Sequence, residues 1–242
     1  MRMILLLVLV SGALWGKIGT IAAVQGEAVI VRASQTLDAV NGTAVEEKDR
    51  IKTAAKTKVQ VMLNDQTVVT IGPNSEYVFN AYNDKNDPHV AMELKRGFFK
   101  AVTGKLGKIA PKRFQIRTKS ATIGIRGTYL IAYIDEEVER IGCIKGTITV
   151  TFEGETLVIP AGSMALFVNG VWEVTELDMK YFEPLTTVMT KGRAADQQEF
   201  YLPGLDERVI VQEQLVEERT PAPQDLGPFI DGVAKNLDTI GK

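Results

Sequence analysis

The chain has 242 residues, 45% of them hydrophobic, a formal charge of −2, one cysteine (Cys143) and one histidine (His89). This length and apolar share suit one domain with appendages around a substantial core, and the near-neutral charge points away from a general nucleic-acid binder. One cysteine excludes an intramolecular disulfide, and a single Cys with a single His cannot supply the three or four ligands of an ordinary zinc site.

Residues 1–16 read as an export signal. Arg2 gives the positive start, Ile4–Val10 the apolar run, and Ser11-Gly12-Ala13 or Leu14-Trp15-Gly16 the small residues for cleavage. The run is shorter than the roughly 20 apolar residues that span a bilayer. The expected product is periplasmic or secreted, and not membrane-spanning after cleavage.

From residue 17 to 175 the pattern predicts strands. Ile18–Val24 and Glu27–Arg32 flank a Gln25-Gly26 turn, and Leu37–Asp49 carries the hairpin dipeptide Asn41-Gly42. Thr57–Asn64 places Val59, Val61 and Leu63 on one face. Asn64-Asp65-Gln66 turns the chain into Thr67–Ile71, and Gly72–Ser75 turns it again into Glu76–Tyr82. Asn83–Pro88 is a polar loop without the central Gly and closing Glu of a calcium loop. His89–Val102 is a strand broken at Arg96-Gly97, and Thr103–Pro111 a loop. Phe114–Tyr133 reads as two strands joined or bent at Ile123–Thr128, with no room for a bulky side chain at Gly127. Glu139–Cys143, Gly146–Phe152, Thr156–Ile159, Met164–Val168 and Val171–Val174 follow, the last two joined by Asn169-Gly170. Turns about every 8–12 residues predict a mainly β fold, a sandwich or a solenoid-like roll.

The texture changes near Thr175. Leu177–Thr190 has helical spacing around Pro184, and Leu205, Val209, Gln212 and Val216 mark one face of a helix over Asp206–Arg219. Phe229–Ile240 predicts a last, weak helix. Residues 176–242 are therefore expected to form a helical or partly disordered C-terminal tail, with no core strand beyond Val174.

The string Phe114-x-Ile-x-Thr-x-x-Ala-x-Ile-Gly-Ile-Arg-Gly-Thr-x-x-x-x-Tyr133 resembles the signature of FecR-domain proteins, a family named for a periplasmic regulator of ferric citrate uptake. Gly26-x-x-Val29, Asp49-Arg-Ile-Lys-Thr53, Val59–Asp65 and Ile71-Gly-Pro-Asn-Ser75 resemble the family's upstream run, with the core motif at 46–150. The resemblance implies a FecR-like β domain over 17–175 in which Arg126, Gly127 and Thr128 form the structural motif. It also implies an exported binding or signal-sensing module without enzymatic activity. In the family regulator the domain receives a signal from an outer-membrane transporter and passes it to a sigma-factor system. That regulator has a cytoplasmic N-terminal segment and a membrane helix that this sequence is expected to lack, so the resemblance carries the domain and the compartment and leaves the sigma-factor role open. The alternative is a structural envelope scaffold that binds cell-wall glycan or another envelope protein.

The residues offer little catalysis. His89 follows Pro88 in a loop, and Cys143 reads as a small buried hydrophobe. The acid pairs Glu46/Glu47, Asp135/Glu136/Glu137 and Glu217/Glu218 read as solvated, without the split environments that acid–base work needs. Gly104-x-x-Gly107 lacks the Lys and helix of a phosphate loop. No cofactor is expected. One charge feature remains: Lys95–Ile134 holds ten Lys or Arg and no Asp or Glu. Lys95, Lys100, Arg117 and Lys119 are the candidate binding residues of a basic face, with an envelope protein or an anionic envelope polymer as partner and no nucleic acid. Arg126, between glycines, is expected to be partly buried on backbone carbonyls.

Overall fold

The structure is a computed structural model that describes residues 16–186, most of them in fifteen strands. The predicted export signal up to residue 15 and the predicted helices at 206–219 and 229–240 lie outside the described residues.

The strands are β1 (Lys17–Gln25), β2 (Ala28–Arg32), β3 (Gln35–Asp38), β4 (Ala44–Glu46), β5 (Arg50–Thr53), β6 (Lys58–Leu63), β7 (Val68–Ile71) and β8 (Glu76–Asn83). After them come β9 (His89–Val102), β10 (Phe114–Arg117), β11 (Thr122–Ile134), β12 (Val138–Phe152), β13 (Glu155–Pro160), β14 (Ser163–Val168) and β15 (Val171–Glu176). A helical turn α1 (Leu106–Ile109) and a 3-10 turn (Pro111–Arg113) link β9 to β10.

Hydrogen bonding joins all the strands into one network, but three long strands fold it into two layers. The first half of β9 pairs with β8 and β10, and its second half with β7 and β11. β11 pairs first with β10, then with β9, and β12 pairs with β14 in its first half and β13 in its second. One layer thus runs β3-β2-β5-β8-β9-β10-β11-β12-β13, the other β4-β1-β6-β7-β9-β11-β12-β14-β15. The core lies between them. Tyr77 of one layer stacks on Phe99 of the other at 5.0 Å, and Phe152 meets Trp172 at 5.8 Å. Of the two sequence readings, this is the sandwich-like one.

The long strands cross between layers at bulges, where an extra residue bends the ladder. β9 bends at Lys95–Gly97, β11 at Arg126–Thr128, and β12 at Gly146. The bend expected within Ile123–Thr128 is present, but the junction between the two strands needs correcting. The turn between two strands lies at Thr118–Ala121, where the Thr118 N–H donates to the Ala121 carbonyl, and β11 then runs unbroken through the bend. The two Asn-Gly dipeptides also differ. Asn169-Gly170 closes the hairpin β14–β15, as its flanking alternation suggests. Asn41-Gly42 closes no hairpin: β3 pairs with β2 and β4 with β1, so this turn carries the chain from one layer to the other.

Beyond β15, a 3-10 turn (Met179–Phe182) and a helical turn α2 (Glu183–Thr186) return over the outer face of the second layer. Phe182 and Leu185 are 0% and 3% exposed, packed on Ile131 and Met164 with Phe98, Tyr133, Ile144 and Leu177 around them. Two glycines make the room. A Cβ on Gly72 would lie 3.0 Å from Leu185, and one on Gly142 would lie 2.5 Å from Leu177. The texture change near 175 coincides with the end of β15, but Leu177, Phe182 and Leu185 anchor the start of the tail on the sheet.

Candidate functional site

The motif residues are tied into the fold by their polar groups. The Asp49 carboxylate, fully buried, accepts two bonds from the Arg32 guanidinium at 2.8 and 2.7 Å and one from the Glu46 N–H at 2.8 Å. Arg32 also donates to Glu46 Oε1 at 2.6 Å and to the Ala44 carbonyl. A planar, always-charged guanidinium fits a carboxylate in this two-pronged way, so Arg32 pins the β4–β5 corner to β2. The Thr53 hydroxyl donates to the Gly72 carbonyl at 2.7 Å and accepts from the Ser75 N–H, while Ser75 Oγ accepts from the Phe98 N–H at 2.8 Å. Ser75 fills the space over Gly97, whose φ is +91° and where any Cβ would collide with it. Asp65 accepts from Thr67 Oγ1 at 2.8 Å and the Leu106 N–H at 3.1 Å, and its own N–H donates to the Tyr82 hydroxyl.

The Arg-Gly-Thr string sits on the β11 bend, and the structure corrects two expectations there. Arg126 is exposed rather than held on buried carbonyls. Gly127 has φ +58°, but an added Cβ would find only Lys108 Cγ, at 4.0 Å, so conformation and not space calls for glycine. The tight glycine is its neighbour on β12: a Cβ on Gly146 (φ +85°) would stand 2.8 Å from the Gly127 carbonyl oxygen. Thr128 is buried and clasps the end of β9. Its N–H donates to Thr103 Oγ1 at 2.8 Å, and its carbonyl accepts the Thr103 N–H at 3.1 Å.

The acid-free run from Lys95 does not form one positive surface: Glu93, just before the run on β9, sits among its cations, and the bend of β9 divides them. Lys95 pairs with Glu93 at 3.4 Å, and Arg117 is the cross-strand neighbour of that same Glu93. Lys119 donates to the Glu136 carbonyl at 3.1 Å. Lys100 lies beyond the bend of β9, beside Ile131 and Thr70, with its ammonium 5.8 Å from the Tyr129 ring centre. The structure gathers Lys95 and Arg117 around Glu93 and sets Lys100 apart. Arg113 forms a two-pronged pair with Asp87, whose carboxyl this guanidinium holds below its usual range.

Two of the three acid pairs fall within the described residues, and neither is simply solvated. Glu46 holds Arg32, Glu47 Oε1 accepts the Tyr82 N–H at 2.8 Å, and Asp135 Oδ1 accepts the Glu137 and Val138 N–H groups. Glu217/Glu218 lie outside the described residues. Cys143 is fully buried and burial pushes its thiol up, which fits a packing role. His89 Nδ1 lies 2.7 Å from the Asp87 carbonyl. Among the described residues no group of three or more His, Cys, Asp or Glu could hold a metal. Sequence reasoning passed over Glu139, which is 1% exposed. One of its oxygens accepts the Ser120 N–H at 2.8 Å, and the other has no partner. Its place in the alternating run Glu139-Arg140-Ile141 was the only signal that it faces inward.

The open edges of the layers are β3, β4, β13 and β15. Exposed apolar side chains gather on the last two: Val158 is 61% exposed, Val171 63% and Val174 47%.

Residues 49–149 match the family model described as FecR protein, which supports a FecR-like domain over that stretch. No curated protein matches the chain. Two crystal structures of a protein named as a candidate anti-sigma factor from Parabacteroides distasonis are similar in fold. One shares 18% identity at a TM-score of 0.49, the other 17% at 0.47, each over 57% of this chain and 64% of that one.

Proposed function

We propose that the protein is an exported FecR-domain module of the bacterial envelope that senses or relays a signal by binding another protein, without catalysis. The open β15 edge, flanked by exposed Val171 on one face and exposed Val174 on the other, carries this reading. An edge strand presents unpaired N–H and C=O groups, and exposed valines beside them suit a protein partner that adds a strand or packs on the edge. The FecR match supports the regulatory role. The polar groups of the FecR motif serve the fold, and two of the three buried acids, Asp49 and Asp65, are committed to structural partners, which favours binding over reaction chemistry. The sequence of residues 1–16 supports export.

The test is a deletion strain complemented with the full chain or with Val171→Lys/Val174→Lys. A regulator shifts a defined set of transcripts on deletion. The wild-type chain restores them and the edge variant, folded and present in the envelope fraction, does not. Unchanged transcripts together with altered detergent sensitivity would replace this reading with the scaffold one.

A further inference from the structure

We infer that the corner built by α1 and the β11–β12 bend docks on an anionic lipid surface. Five cations meet there. Lys105 and Lys108 lie one helical turn apart on α1, and Lys112 follows in the 3-10 turn. Lys108 Cγ approaches the Gly127 position at 4.0 Å, next to Arg126, and Gly146 beside Lys145 packs on the Gly127 carbonyl. All five side chains are exposed, and none of them forms an ion pair with a described acid. The nearest acid in the bonding pattern, Asp65, is buried, and its carboxylate is taken by Thr67 and the Leu106 N–H. Among these cations stands Ile109, 67% exposed. Four lysines and one arginine beside one protruding aliphatic side chain match a bilayer interface: charges at the level of the headgroups and an apolar tip below them.

The start of β1 also lies beside this corner: the Asp65 carbonyl accepts the Lys105 N–H at 2.9 Å, and its neighbour Asn64 donates from Nδ2 to the Lys17 carbonyl at 2.9 Å. The inference stands whether or not the proposed protein partner exists, since it uses a different surface from the β15 edge.

The experiment is vesicle co-sedimentation of the full chain at low salt. It compares phosphatidylcholine vesicles with vesicles carrying three parts in ten phosphatidylglycerol. Any affinity contributed by Ile4–Val10 is common to both lipids, so the readout is the ratio of the two partition coefficients. The wild-type ratio is expected to be well above one and to fall with salt, as screening over about 8 Å requires at physiological ionic strength. Lys105→Glu/Lys108→Glu/Lys112→Glu removes three cations at about fivefold each, so the ratio should fall on the order of 100-fold. Arg126→Glu/Lys145→Glu, on different elements, gives the same direction should the triple variant fail to fold. Ile109→Ser should lower binding to the anionic vesicles roughly tenfold. Arg117→Glu/Lys119→Glu, of equal charge change per residue, should leave most of the preference. A wild-type ratio near one, or a ratio insensitive to both sets of reversals, overturns the inference. So does equal binding to soluble polyphosphate with no effect of Ile109→Ser, which would make the corner a polyanion site.

Discussion

The two glycines that face each other across the β11–β12 bend have different reasons to be glycine, and stability measurements separate them. Gly127 needs only a positive φ, so Gly127→Ala is expected to cost about 1–2 kcal/mol, the strain of an L-residue in the left-handed region. Gly127→Val should cost more than Gly127→Ala, because a β-branched side chain fits the left-handed region poorly even where no neighbour crowds it. Gly146→Ala adds a collision with the Gly127 carbonyl to the same strain and should exceed Gly127→Ala by about 1 kcal/mol or more. Denaturant melts check the order; equal losses would show that the bend yields freely. Asp135 gives a prediction in pH. Burial pushes its carboxyl up, but the Val138 and Glu137 N–H groups, the Tyr133 hydroxyl and Arg140 outweigh that and hold it below its usual range. A depressed carboxyl stabilises the fold above the unfolded value near about 4 and loses that contribution as pH falls through the folded one. In this half-exposed turn solvent screens the effect to below about 1 kcal/mol. Asp135→Asn should therefore lower the melting temperature slightly at pH 7 and not at pH 2. A loss of equal size at both would remove the charge from the account. Asp49 was visible in the sequence as a motif residue, yet its partner was not. Arg32 comes from a strand 17 residues earlier, and no local spacing announces a contact made by the β2–β5 pairing, whose register brings Arg32 opposite Asp49.

At the scale of elements, strand positions were readable because alternation and turn residues are local, whereas the order of pairing was not. The break at Arg96-Gly97 was legible, but its meaning, a strand leaving one layer for the other, depends on neighbours distant in sequence. The outer face of the second layer escaped for the same reason. Gly72 and Gly142 look like a turn glycine and a strand glycine, and only the returning chain shows what they make room for. This docking has a measurable price. Phe182→Ala should destabilise the protein by about 3–5 kcal/mol, the range for emptying a buried aromatic site. A chain ending after Glu176 exposes Ile131 and Met164 and should melt lower than one ending after Thr186, or aggregate. Equal melting temperatures for the two truncations would return residues 177–186 to the status of a loose extension.

At the scale of the molecule, β9, β11 and β12 each belong to both layers, and this constrains how the domain can move. A sandwich whose sheets meet only through side chains can slide or open between them. Here the backbone hydrogen bonds of three strands run from one layer into the other, so separating the layers means tearing ladders, not parting a packed surface. Amide hydrogen exchange should therefore give the protected N–H groups of β5–β8 and of β6–β7 one common opening free energy, that of global unfolding. Two distinct plateaus would reveal independent layers. If the domain relays a signal, its body acts as a hinge-free block. The parts free to respond are those that leave the ladders intact: a strand added along β15, or the segment 177–186 lifting like a latch from Gly72 and Gly142 and uncovering Ile131 and Met164 for whatever takes its place.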